Sequence, residues 1–131
     1  MFTIEQINDA NAKVKTGADF PRLAKELFEM GVLTNDVYVN DGHAEFFGKD
    51  GFVVKTPATH SIPKIADESN GEKFQHYLKI HQQGQTDYPT FLEHSAETGI
   101  EKWTLDFVAK TCTYFDRKGG EILVEKIPEV K

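Results

Sequence analysis

The densest run of groups able to do chemistry joins two helical segments in the C-terminal half, His81-Gln82-Gln83-Gly84-Gln85-Thr86-Asp87-Tyr88. An imidazole, several carboxamides, a hydroxyl and a carboxylate in one short loop could converge on a small polar ligand through hydrogen bonds. His81, Gln82, Gln85, Asp87 and Tyr88 are the candidate binding residues, with Trp103 as an aromatic wall beside Tyr88. His81 could also act as a general base, because an ordinary imidazole titrates near pH ~6.5. Asp87 would then be the group that orients it. A plainer reading competes. Gly84 caps one helix, Thr86 or Asp87 caps the next, the glutamines face water, and His81 continues the helical stripe Phe74-Tyr77-Leu78 into the core.

Other chemistries find less support, and no catalytic residue, metal ligand or cofactor is assigned. His76 and His81 diverge by roughly 140° around a helix, too far apart to share a cation. His43, His60 and His94 have no partners close in sequence. Cys112 lies between Thr111 and Thr113 in a β-rich stretch and reads as a small buried strand residue, not a nucleophile. Asp106 and Asp116 flank turns, where carboxylates are usually solvated. The glycines match neither the dinucleotide fingerprint nor the P-loop.

The elements that must position these groups follow from local signals. Thr3-Ile4-Glu5-Gln6 is a capping box, and Ile4, Ile7, Ala10 and Val14 recur at helical spacing up to a stop near Gly17. Asp19-Phe20-Pro21 starts a second helix, with Leu23, Leu27 and Met30 on one face and Gly31 as its C-cap. The period then falls to two. Val37 and Val39 alternate with Tyr38, and turns at Asn40-Asp41-Gly42 and Lys49-Asp50-Gly51 define a three-stranded meander that ends near Lys55. Residues 58–68, with Pro63, read as a linker that could be mobile.

The plan then repeats. Ser69-x-x-Glu72 predicts a capping box, and Asp87-Tyr88-Pro89 restarts a helix whose Phe91, Leu92, Ser95 and Ala96 face the core up to Gly99. Trp103 and Leu105 alternate in a strand. Thr111, Thr113 and Phe115 take one face of the next and Cys112 and Tyr114 the other, and Ile122 to Ile127 supply the last. Asp19-Phe20-Pro21 and Asp87-Tyr88-Pro89 stand 68 residues apart, as do Gly31 and Gly99, and Phe46-Phe47 and Tyr114-Phe115. Lys55-x-Pro57 and Lys126-x-Pro128 match with a small shift. The expectation is a single α+β domain over residues 1–131. It is built from two αα-βββ pseudo-repeats, about 1–57 and about 69–128, with antiparallel sheet and helices packed on one face. One six-stranded sheet and two three-stranded sheets both satisfy this pattern.

The strings Leu78-Lys79-Ile80-His81-Gln82-Gln83-Gly84-Gln85-Thr86-Asp87-Tyr88, Gly99-Ile100-Glu101-Lys102-Trp103, Thr111-Cys112-Thr113-Tyr114-Phe115-Asp116 and Leu123-Val124-Glu125-Lys126-Ile127-Pro128 resemble a family of small bacterial and prophage-associated proteins with a domain of unknown function. Some of its members carry the label "phage envelope protein". The resemblance covers nearly the whole chain. It implies a compact α+β fold and brings no catalytic residues with it.

Composition sets the outer bounds. The 131 residues carry a formal net charge of −6, and 39% are hydrophobic. With no basic stripe, nucleic-acid binding is disfavoured. One cysteine fits a reducing cytoplasm. No apolar run approaches the ~18 residues of a membrane span. The N-terminus carries Glu5 and Asp9 rather than the basic region of a secretory signal. The expected role is therefore a small soluble cytoplasmic binding or interaction module, acting on a protein partner or on a second copy of itself. The alternatives are a small-molecule binder or enzyme using the 81–88 junction, and a phage-related structural component.

Overall fold

The computed structural model describes residues 2–14, 19–58 and 65–127, and each half of it runs helix, helix, strand, strand, strand. Helices α1 (Ile4–Ala12) and α2 (Phe20–Glu29) precede strands β1 (Thr34–Tyr38), β2 (Ala44–Phe47) and β3 (Val53–Thr56). Helices α3 (Gly71–Gln82) and α4 (Tyr88–Glu97) precede β4 (Ile100–Asp106), β5 (Thr111–Asp116) and β6 (Glu121–Lys126). The strands form one six-stranded antiparallel sheet in the order β3-β2-β1-β4-β5-β6, which settles the choice left open by the sequence.

The first strand of each half thus lies at the centre, and the two pair with each other. In that pairing Asp36 faces Thr104, Thr34 faces Asp106 and Tyr38 faces Lys102. Asp36 and Thr104 are 68 positions apart, and the Thr104 hydroxyl donates to the Asp36 carboxylate at 2.6 Å. The 68-residue spacing of this pair equals that between the two Asp-aromatic-Pro motifs.

Alternation along the strands sorts side chains between two faces. Val37, Ala44, Phe46, Trp103, Cys112 and Tyr114 are buried on the helix side. Tyr38, Phe47, Lys102, Thr104 and Phe115 are half-buried on the other. The Phe46-Phe47 and Tyr114-Phe115 pairs each send one ring to either side, as their adjacency in a strand requires. Phe74 of α3 is fully buried and meets Tyr114 edge-on at 4.8 Å, which ties the helices to the sheet. Burial of such a ring is worth about 2–3 kcal/mol.

Helix ends follow the expected chemistry with one correction. Thr3 and Gln6 form the capping box of α1, which ends at Ala12; the predicted stop at Gly17 lies outside the described residues. Asp87 caps α4 by accepting the Thr90 N–H. The cap of α3, however, is Asn70 and not Ser69: Asn70 accepts the Lys73 N–H through its side chain, while its own N–H donates to the Thr98 carbonyl at 2.9 Å. That second bond holds the chain extended against the end of α4. Gly99 makes the approach possible. Its φ is +85°, and a Cβ there would lie 2.7 Å from Ser69 Cα.

The end of the 58–68 stretch also packs against α4. Ile65 is buried and the Ala66 N–H donates to the Ala96 carbonyl at 2.9 Å, so the chain is docked from Ile65 onward. Residues 59–64, including His60 and Pro63, lie outside the described residues, as does Pro128.

Candidate functional site

Between the two helix pairs and the sheet lies a cavity of about 420 Å³. Its walls come from both halves. The first contributes Asn8 and Asn11 of α1, Leu23 and Leu27 of α2, and Asn35 and Val37 of β1. The second contributes Leu78 and His81 of α3, Tyr88 and Phe91 of α4, and Trp103 of β4. The cavity follows from the topology. Two helical hairpins cover one sheet across its central strand pair, and the side chains along the seam do not fill the space between them.

The second half builds an aromatic wall. Trp103 lies 5.6 Å from Phe91, 6.0 Å from Tyr114 and 6.5 Å, edge-on, from Tyr88. The His81 ring stacks on Phe91 at 4.3 Å. Tyr88 leaves 46% of its surface exposed, and desolvation pushes its hydroxyl up to about 12. Burial likewise pushes the Cys112 thiol up to about 12 and the Tyr114 hydroxyl well above the usual tyrosine range. A thiol with that pKa stays protonated at neutral pH and does not act as a nucleophile.

His81 is held by its Nδ1 atom, 3.2 Å from both the carbonyl and the hydroxyl oxygen of Thr86. A carbonyl only accepts, so Nδ1 carries the proton and Nε2 is left as a lone-pair acceptor. Burial lowers the His81 pKa, against the opposing pull of the Thr86 carbonyl and the Asp87 charge, and so favours this neutral form. Thr86, not Asp87, is therefore the orienting group. The Asp87 carboxylate is occupied at the α4 N-terminus, 2.9 Å from the Thr90 N–H, and hydrogen bonds from the Thr90 side chain and backbone hold its pKa below the usual carboxylate range.

Of the six residues singled out by sequence, four line the cavity: His81, Gln82, Tyr88 and Trp103. Gln82 sits at the rim, where its Nε2 donates to Glu125 of β6 at 3.1 Å. Gln85 and Asp87 point elsewhere; both are exposed, and Gln85 donates to the Gln83 side chain at 3.0 Å. Loop composition singled out five of them, with Trp103 added as an aromatic wall, but only the residues on the helix faces and the strand turn inward.

Sequence reasoning missed the contribution of the first half. Asn35 is 3% exposed and donates through Nδ2 to the backbone carbonyls of Asp36, at 3.3 Å, and Glu45, at 3.1 Å. One signal could have found it. Position 35 shares the inward face with Val37 and Val39, and asparagine breaks that apolar alternation. His43 also proves to have local partners, its Nδ1 lying 2.6 Å from Asp41 and its Nε2 3.6 Å from Glu45 while the ring stacks on Tyr38 at 4.2 Å. This cluster stands apart from the cavity lining. Among the described residues, no three His, Cys, Asp or Glu side chains are grouped to hold a metal ion, and no helix is long and apolar enough to cross a membrane.

No curated protein matches the chain. A family model does: the chain belongs to the family described as protein of unknown function DUF1398, whose model matches residues 8–126.

Proposed function

We propose that this member of the DUF1398 family is a small-molecule binding protein, with its ligand held in the cavity between the two helix pairs and the sheet. The observation that carries the reading is the cavity itself. Its volume of about 420 Å³ falls in the range of ligand pockets, and its walls combine apolar and aromatic side chains with a few placed polar groups. The predominance of apolar lining points to a ligand less polar than the 81–88 loop alone suggested. Binding is favoured over catalysis because His81 is oriented by a neutral carbonyl and not by a carboxylate, and the Cys112 thiol is held protonated. The lone cysteine supports a cytoplasmic setting. We read the two halves as copies of one αα-βββ module; the β1–β4 register supports this.

Trp103 is the only tryptophan of the chain and forms part of the cavity wall, so its fluorescence reports occupancy. Titration with the neutral dye phenylnaphthylamine should quench Trp103 saturably and enhance the dye's emission, with a dissociation constant in the micromolar range. Absence of both changes at high dye concentration would refute the reading.

A further inference from the structure

The polar atoms of the cavity wall restrict what the ligand can be. Both protons of the Asn35 amide are directed at backbone carbonyls, Asp36 on its own strand and Glu45 on β2. The opposite amide orientation would set Oδ1 against two carbonyl oxygens, so the assignment is fixed by repulsion. Oδ1 therefore remains an acceptor, and among the described residues no donor meets it. The Nδ1 proton of His81 is engaged by Thr86 in the same way, leaving Nε2 as a second acceptor. One acceptor comes from each half. The lining also includes Glu125 and Lys126 of β6: Glu125 lies opposite the buried Cys112, on the helix side of the sheet, and accepts from Gln82, whereas alternation turns Lys126 to the other side.

From this arrangement we infer that the ligand is a non-anionic aromatic compound donating two hydrogen bonds, one to Asn35 Oδ1 and one to His81 Nε2. The inference rests on the cavity reading above and goes further, because it excludes anions and compounds with acceptors only. An anion would bring negative charge against two lone pairs and the Glu125 carboxylate. A ligand without donors would leave both acceptors desolvated and unpaired, which is costly.

The test compares three probes of one shape: dihydroxybiphenyl, dimethoxybiphenyl and biphenyldicarboxylate, each titrated against Trp103 fluorescence. The diphenol should bind about tenfold or more tightly than the diether, and the dicarboxylate should bind weakest. In His81→Phe, which keeps a ring on Phe91, the preference for diphenol over diether should shrink by about tenfold. Because the three probes are compared on the unaltered protein, the outcome does not depend on that variant folding. Diether binding equal to diphenol, or dicarboxylate binding tightest, would overturn the inference and leave the cavity reading standing. If none of the three binds and phenylnaphthylamine also fails, the cavity reading falls and takes this inference with it.

Discussion

The two halves of the molecule share a backbone plan and divide the labour of side chains. At positions 68 apart the second half carries the larger or more aromatic group along the cavity: Phe91 against Leu23, Trp103 against Asn35, Tyr114 against Phe46. At two of the turns the halves agree. Gly31 and Gly99 both adopt positive φ, +109° and +85°, and Gly51 and Gly119 do so at +78° and +82°. Backbone geometry holds these two glycine pairs, although Gly42 is matched by Lys110, also at positive φ, whereas the wall residues are set by what fills the space between the helix pairs. The aromatic half supplies contact area, and the first half supplies smaller side chains and the Asn35 acceptor.

The largest expected effects lie at the matched glycines. Gly99→Ala meets both a positive φ and the backbone of Ser69, and should cost about 3–4 kcal/mol. Gly31→Ala meets the φ penalty, but its Cβ would lie 3.7 Å from Phe2, an ordinary contact, so about 1–2 kcal/mol is expected. Urea denaturation of the two variants measures the gap, and equal costs would show that the Ser69 approach is not tight. Next in size is the matched pair on the wall. Phe91→Ala should lose about 3 kcal/mol and weaken phenylnaphthylamine binding, because the ring touches Phe74, His81 and Trp103. Leu23→Ala, half-buried at the matching position, should cost about 1–1.5 kcal/mol.

The smallest effect is a pH dependence confined to the second half. The folded His81 titrates below its ordinary value, so an unfolded chain takes up a proton near pH ~6.5 while the folded one resists until lower pH. The unfolded state therefore binds more protons as pH falls below that point, and folding stability drops from pH ~7.5 toward ~5.5. This component should vanish in His81→Phe. An unchanged pH slope in that variant would show that the imidazole is not desolvated.

Much of this architecture was legible from local signals. Thr3-x-x-Gln6, Asp87-Tyr88-Pro89 and the inward set Phe91, Leu92, Ser95 and Ala96 act within one or two helical turns, and each took its expected place. The Asn70 cap was less legible, because Ser69 and Asn70 are both good caps and the choice depends on the Thr98 carbonyl, which is distant in sequence. The cavity was legible only in its second half. Loop composition singled out His81, Gln82 and Tyr88, but joining them to Asn8, Asn11 and Asn35 requires the β1–β4 pairing, and no spacing rule connects residues on opposite sides of a sheet seam.

The most direct test of a ligand site shared by both halves is an amide NMR titration with dihydroxybiphenyl. Saturable shifts should appear together at Asn35 and Val37 in the first half and at His81 and Trp103 in the second. No shifts, or shifts confined to Tyr38 and Phe115 on the opposite face of the sheet, would contradict the account.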